Sequence, residues 1–230
     1  MRTKIGLTSL LVVVLLAGCG GGKKTQQLSV AQIVGQTTQK TGALKSFHFV
    51  LKVEHPAAST QGLSLTFAEG DVIVPGKLRA KVAGTLSGVS LTSELVFIAP
   101  TQFLKDPISG TWQHLQTNTS PIGYFDPAKG VLAVIKGSTQ LALAGSATVG
   151  GADSYDLKGK VHARDLTAIL GNAPSDRLVD VEFLVGKSDL LLRRIRLQGP
   201  VSGGEPANIA RSVEVSKFDE QVSIEAPKAG

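Results

Sequence analysis

The stretch Ser46-Phe47-His48-Phe49-Val50-Leu51-Lys52-Val53-Glu54-His55 decides the fold. Phe47, Phe49, Leu51 and Val53 fall on one side of a two-residue repeat, and His48, Val50, Lys52 and Glu54 on the other. A repeat of two belongs to a β-strand, where successive side chains point to opposite faces. One face is apolar and the other mostly polar, so this strand belongs to a sheet that is wetted on one side.

The same alternation recurs outward from this stretch. Leu63, Leu65 and Phe67 repeat it; so do Leu78, Ala80 and Val82 opposite Arg79 and Lys81, and then Leu91, Leu95 and Phe97. Turn signals separate them: His55-Pro56, Val74-Pro75-Gly76, Leu86-Ser87-Gly88 and Ala99-Pro100. Further strands are read at Leu141–Val149, Ser154–His162, Leu178–Val185, Leu190–Gln198 and Ala210–Phe218. Regular spacing with polar turns predicts an antiparallel meander of roughly ten strands.

Three segments interrupt it. Val30, Ile33, Val34 and Leu44 fall roughly at helical spacing, with Ser29 as N-cap and Gly42 as a late break. Asp126-Pro127 supplies an N-cap and a proline at the first helical position, ahead of Val131, Leu132, Val134 and Ile135, and Gly137 stops the helix. Arg164–Leu170 reads as a short helical stretch ended by Gly171 and Pro174. Large antiparallel sheets must curl, split or close. The layout is α+β, and a curled sheet with two or three helices inside its concave face is one solution that can leave a space between the layers.

The amino terminus reads as an address. Arg2 and Lys4 precede an apolar run from Ile5 to Leu16, followed by Ala17, Gly18 and Cys19. The run is too short for a permanent membrane span, which needs about 20 residues. It suits an export signal, residues 1–18. Leu16-Ala17-Gly18-Cys19 resembles a bacterial lipobox, so Cys19 is the expected lipidation site. The glycine-rich, polar stretch 19–27 is the expected tether, and 28–230 a single domain.

Composition excludes several classes. The formal net charge is +6, with Arg2 and Lys4 inside the signal and no long positive run, so nucleic acid is not an expected partner. Cys19 is the one cysteine, which removes disulfides and Cys-ligated metals. His48, His55, His114 and His162 show no metal-ligand spacing. No Gly-x-Ser-x-Gly elbow is present, and Gly186-Lys187-Ser188 lacks the first glycine of a phosphate loop because Val181 stands there. No cofactor, metal or catalysis is expected. Arg193, Arg194 and Arg196 form the densest basic cluster and read either as a contact to anionic headgroups or as a solvated outer face.

The chain also resembles a known family, the LppX/LprG-type (LppX_LprAFG) cell-envelope lipoproteins. The resemblance is carried by Ala43-Leu44-Lys45-Ser46, Gly62-Leu63-Ser64-Leu65, Tyr124-Phe125-Asp126-Pro127 and Ser216-Lys217-Phe218 with Val222. The glycine- and proline-rich Val201–Asn208 loop departs from the family pattern. The resemblance implies a curved antiparallel half-barrel with two or three helices on its concave face, enclosing a hydrophobic cavity, in the shape of the LolA and LolB lipoprotein carriers. It implies an acylated lipid or glycolipid as cargo and a place on the extracytoplasmic face of the cell membrane, held there through Cys19. Work alongside a membrane efflux transporter is implied as well. Inward strand residues are the expected cavity lining: Phe47, Phe49, Leu51, Leu65, Phe67, Leu78, Val82 and Leu91, faced by Val131, Leu132 and Ile135. The same stripes would equally fill a solid core, as in an adaptor lipoprotein that holds a partner at the membrane.

Overall fold

In a computed structural model, which describes residues 28–57, 64–115, 130–166 and 176–228, the first helix is α1, Val30–Gly42. Ser29 caps it: its Oγ accepts from the Gln32 amide at 3.3 Å, while its own amide donates to Gln32 Oε1 at 2.9 Å. This reciprocal box satisfies two amides that the first helical turn leaves unpaired. Ile33, Thr37 and Thr41, four residues apart, form the buried stripe of α1.

The strand of Phe47 is β1, Ser46–Glu54. It is followed by β2 Ser64–Ile73, β3 Lys77–Leu86, β4 Val89–Ile98, β5 Thr101–Lys105 and β6 Trp112–Leu115. Then come α2 Leu132–Gly137, β7 Thr139–Val149, β8 Ala152–His162, a 3-10 turn at Ala163–Leu166, β9 Leu178–Gly186, β10 Leu192–Gln198 and β11 Ala210–Ser216. The Asp126-Pro127 start, Leu63, Gly171 and Pro174 lie outside the described residues. Of the helical stretch predicted from Arg164, the described part is the 3-10 turn. The short strands β5 and β6 escape the sequence reading because alternation over so few residues carries little signal.

All eleven strands join one antiparallel sheet in the order β6-β5-β4-β3-β2-β1-β11-β10-β9-β8-β7. It is open rather than closed into a barrel, and with its helices it forms a curved α+β half-barrel. Two meanders, β1–β6 and β7–β11, meet where β1 pairs with β11. At that seam Phe49 faces Val215, Leu51 faces Val213 and Val53 faces Arg211.

The core divides along the same line. One cluster gathers Phe47, Phe49, Leu51, Ala68, Val72, Leu78, Leu95 and Phe97 from β1–β4 with Val215 of β11. The other gathers Ile33 of α1, Leu132 and Ile135 of α2, and Leu157, Val181, Phe183 and Ile195 of β8–β10. Both described helices pack on this second cluster, over the C-terminal half of the sheet. Between Leu65 and Phe67 the β2–β3 register shifts by a bulge. Leu65 stays on the inner face opposite Gly84, but Phe67 turns to the outer face, opposite Lys52. This corrects the simple alternation that puts both on one side. Gly70 follows on the inner face; a Cβ there would lie 2.0 Å from the Arg79 carbonyl oxygen and 2.6 Å from Ala80 Cα.

Candidate functional site

A cavity of about 220 Å³ opens on the seam. Leu51, Val53 and Leu65 wall it from β1 and β2, Ile195 and Leu197 from β10, and Val213 from β11. Val131 and Val134 close it from the start of α2. Thus both hydrophobic clusters contribute walls, and the cavity lies where they fail to merge. Pro56, Ala57 and Ser64 mark its end at the β1–β2 loop, where Ser64 Oγ donates to the Ala57 carbonyl at 3.2 Å.

Two charges interrupt this apolar wall. Arg211 shares the inner face with its strand neighbours Val53 and Leu197. Its guanidinium Nη2 donates to Glu205 Oε1. Glu205 Oε2 accepts the amide of Val201 at 2.7 Å and that of Ser202 at 3.4 Å. Only 15% of the Arg211 side chain and 13% of Glu205 is exposed. A pair this buried is held against its desolvation cost only by such hydrogen bonds. The glycine- and proline-rich Val201–Asn208 loop is what delivers Glu205.

The predicted lining residues scatter. Leu51, Leu65 and Val131 line the cavity. Phe47, Phe49 and Leu78 are closed inside the N-terminal cluster, and the half-buried Val82 packs against it. Leu91 is half-buried on the inner face, opposite Gly84. Leu132 and Ile135 are buried in the C-terminal cluster, not across from Phe47 and Phe49. Phe67 is on the outer face, and Cys19 lies outside the described residues. Sequence reasoning missed Ile195, Leu197, Val213, Glu205 and Arg211 because nothing in it brought β11 beside β1. The available signal was Arg211 itself, which occupies the same alternation as Val213 and Val215.

The arginine cluster is internally neutralised. Arg196 forks onto Glu54 of β1 at 2.8 and 3.0 Å. Arg194 meets Glu182 at 3.5 Å and Glu214 at 3.6 Å. Arg193 pairs with Asp189 and lies 4.6 Å from the ring centre of Phe218. Among the described residues, no group of three or more side chains is placed to hold a metal ion. Nor is any described helix long and apolar enough to cross a membrane.

Comparison with known proteins places this geometry. No curated protein matches the chain. Among solved structures, LprF from Mycobacterium bovis superposes with a TM-score of 0.69 at 18% identity, covering 86% of this chain and 96% of that one. The lipoprotein LppX of Mycobacterium tuberculosis superposes with a TM-score of 0.61, also at 18% identity, covering 86% of this chain and 100% of that one. At such identities the likeness speaks for the fold. The sequence model of the LppX_LprAFG lipoproteins matches residues 29–224, most of the chain and every described strand. The half-barrel and the sequence match agree, and the chain belongs to the LppX_LprAFG lipoprotein family, a family of lipid-binding lipoproteins rather than enzymes.

Proposed function

We propose that this protein is a membrane-anchored, extracytoplasmic carrier that holds an acyl chain of a lipid or glycolipid in the seam cavity and assists its transfer or export. The observation that carries this is the apolar cavity walled by both halves of the sheet. Each methylene withdrawn from water contributes about 0.8 kcal/mol, so an apolar slot with few polar groups is enough to hold an acyl chain. The cavity is smaller than the roughly 300–1,000 Å³ of ordinary ligand sites, which favours one slim chain over a whole lipid. In this reading residues 1–18 are the export signal and Cys19 carries the lipid. Residues 20–27 then form a tether that reaches roughly 25–30 Å when extended. So short a leash favours hand-off to a neighbour in the same membrane, such as an efflux transporter, over free diffusion.

The test is mass spectrometry of organic extracts from the full chain carrying Cys19→Ser, purified without detergent. A stoichiometric acylated lipid is expected. Extracts free of lipid, with lipid vesicles unable to load the protein, would overturn the carrier reading in favour of an adaptor.

A further inference from the structure

Arg211 is anomalous where it stands. The inner face of β11 continues through Val213 and Val215, and its neighbours Val53 and Leu197 are cavity walls. An arginine in this row must be desolvated, and Glu205 satisfies only part of it. Both carboxylate oxygens are engaged: Oε1 takes Arg211 Nη2, and Oε2 takes two backbone amides. The Nη1 of Arg211 is buried and has no hydrogen-bond partner among the described residues. Buried donors are almost always satisfied, so an unsatisfied one in the wall of a cavity marks where an acceptor belongs. The missing partner is an acceptor, such as a carbonyl or carboxylate oxygen.

Building on the carrier reading, we propose that Arg211 is the polar anchor of the cavity. A small rotation of its guanidinium lets Nη1 donate to the carbonyl or carboxylate oxygen at the head of an acyl chain. The hydrocarbon then runs among Leu51, Leu65, Val134 and Ile195. The Glu205–Arg211 pair is neutral as a unit, so it accepts an ester carbonyl without burying an uncompensated charge; a free carboxylate brings a negative charge of its own and competes with Glu205 for Arg211. Arg211 thereby sets the depth and direction of the chain, which apolar walls alone leave undetermined.

The test compares dodecanoate, methyl dodecanoate and dodecane as ligands of the full chain with Cys19→Ser, by displacement of the uncharged dye Nile red. Arg211→Lys keeps a cation for Glu205 but loses the second planar nitrogen. It should weaken the acid, the ester or both by about ten- to a hundredfold, as loss of a charge-assisted hydrogen bond does, and leave dodecane unchanged. A loss confined to the acid assigns a carboxylate head, and one confined to the ester assigns an ester carbonyl. Equal affinities in variant and wild type overturn the proposal, and so does an equal loss for all three ligands, which marks a structural role. Wild-type protein that binds none of the three instead overturns the carrier reading itself. Should Arg211→Lys not fold, the double change Arg211→Met, Glu205→Gln removes both charges together and carries the same expectations.

Discussion

Arg196 of β10 and Glu54 of β1 are joined by a two-pronged ion pair that passes over the intervening strand β11. Strand neighbours meet through their backbones, but this pair ties strands that are not hydrogen-bonded to each other. It clamps the outer face of the seam whose inner face holds the cavity.

The clamp has a pH signature. Hydrogen bonding and the charge of Arg196 hold the Glu54 carboxyl below its ordinary value of 4.5. A carboxylate lowered on folding stabilises the protein above its unfolded pKa and loses that contribution as pH falls through the folded one. Wild type should therefore melt above Glu54→Gln at pH 7, and the gap should close as the pH falls below 4.5. Thermal melts across that range check it, and a gap that widens on acidification would contradict the clamp.

Filling the cavity and emptying the core should differ. Val53→Trp extends a wall residue into the cavity; it is expected to abolish loading of lipid from vesicles while the cooperative melt persists. Leu78 is fully buried in the N-terminal cluster, away from the cavity walls. Leu78→Ala should cost about 2–5 kcal/mol in urea unfolding and leave the lipid bound by the folded fraction unchanged.

The outer arginines should not bind membranes. Each already faces a carboxylate within the fold. Arg194→Ala with Arg196→Ala is expected to leave sedimentation with anionic vesicles unaltered. A marked drop in the pelleted fraction would assign these residues a headgroup role.

Gly70 is required by contact. A methyl group 2.0 Å from a backbone oxygen forces β3 away from β2. Gly70→Ala should destabilise by roughly 3 kcal/mol, at the top of the usual range for overpacking because backbone has to move. Urea unfolding measures it.

Much of the sheet was legible because Phe47, Phe49, Leu51 and Val53 repeat with a period that only a strand satisfies. The helix after Ser29 was legible from its cap and its apolar spacing. The site was less so. Alternation names a face but not a neighbour, so it could not tell that Leu51 meets Val213 while Phe49 is sealed inside a cluster. It also passed over the bulge that turns Phe67 outward, since a bulge leaves composition unchanged. Arg211 was visible as a residue, but its meaning depends on Glu205, brought to it by a loop with no periodic pattern.

The seam has a consequence for how the protein comes into being. β1 is the first described strand and β11 the last, yet they are neighbours at the centre of the sheet. A chain emerging amino terminus first can zip β1 to β6 by local hairpins while the far edge of β1 waits unpaired. Pairings between distant segments form slowly, and a waiting edge invites unwanted partners. The walls of the cavity are completed only when β11 docks, so the ability to hold a lipid is the last property the molecule acquires, and no half-made chain can possess it.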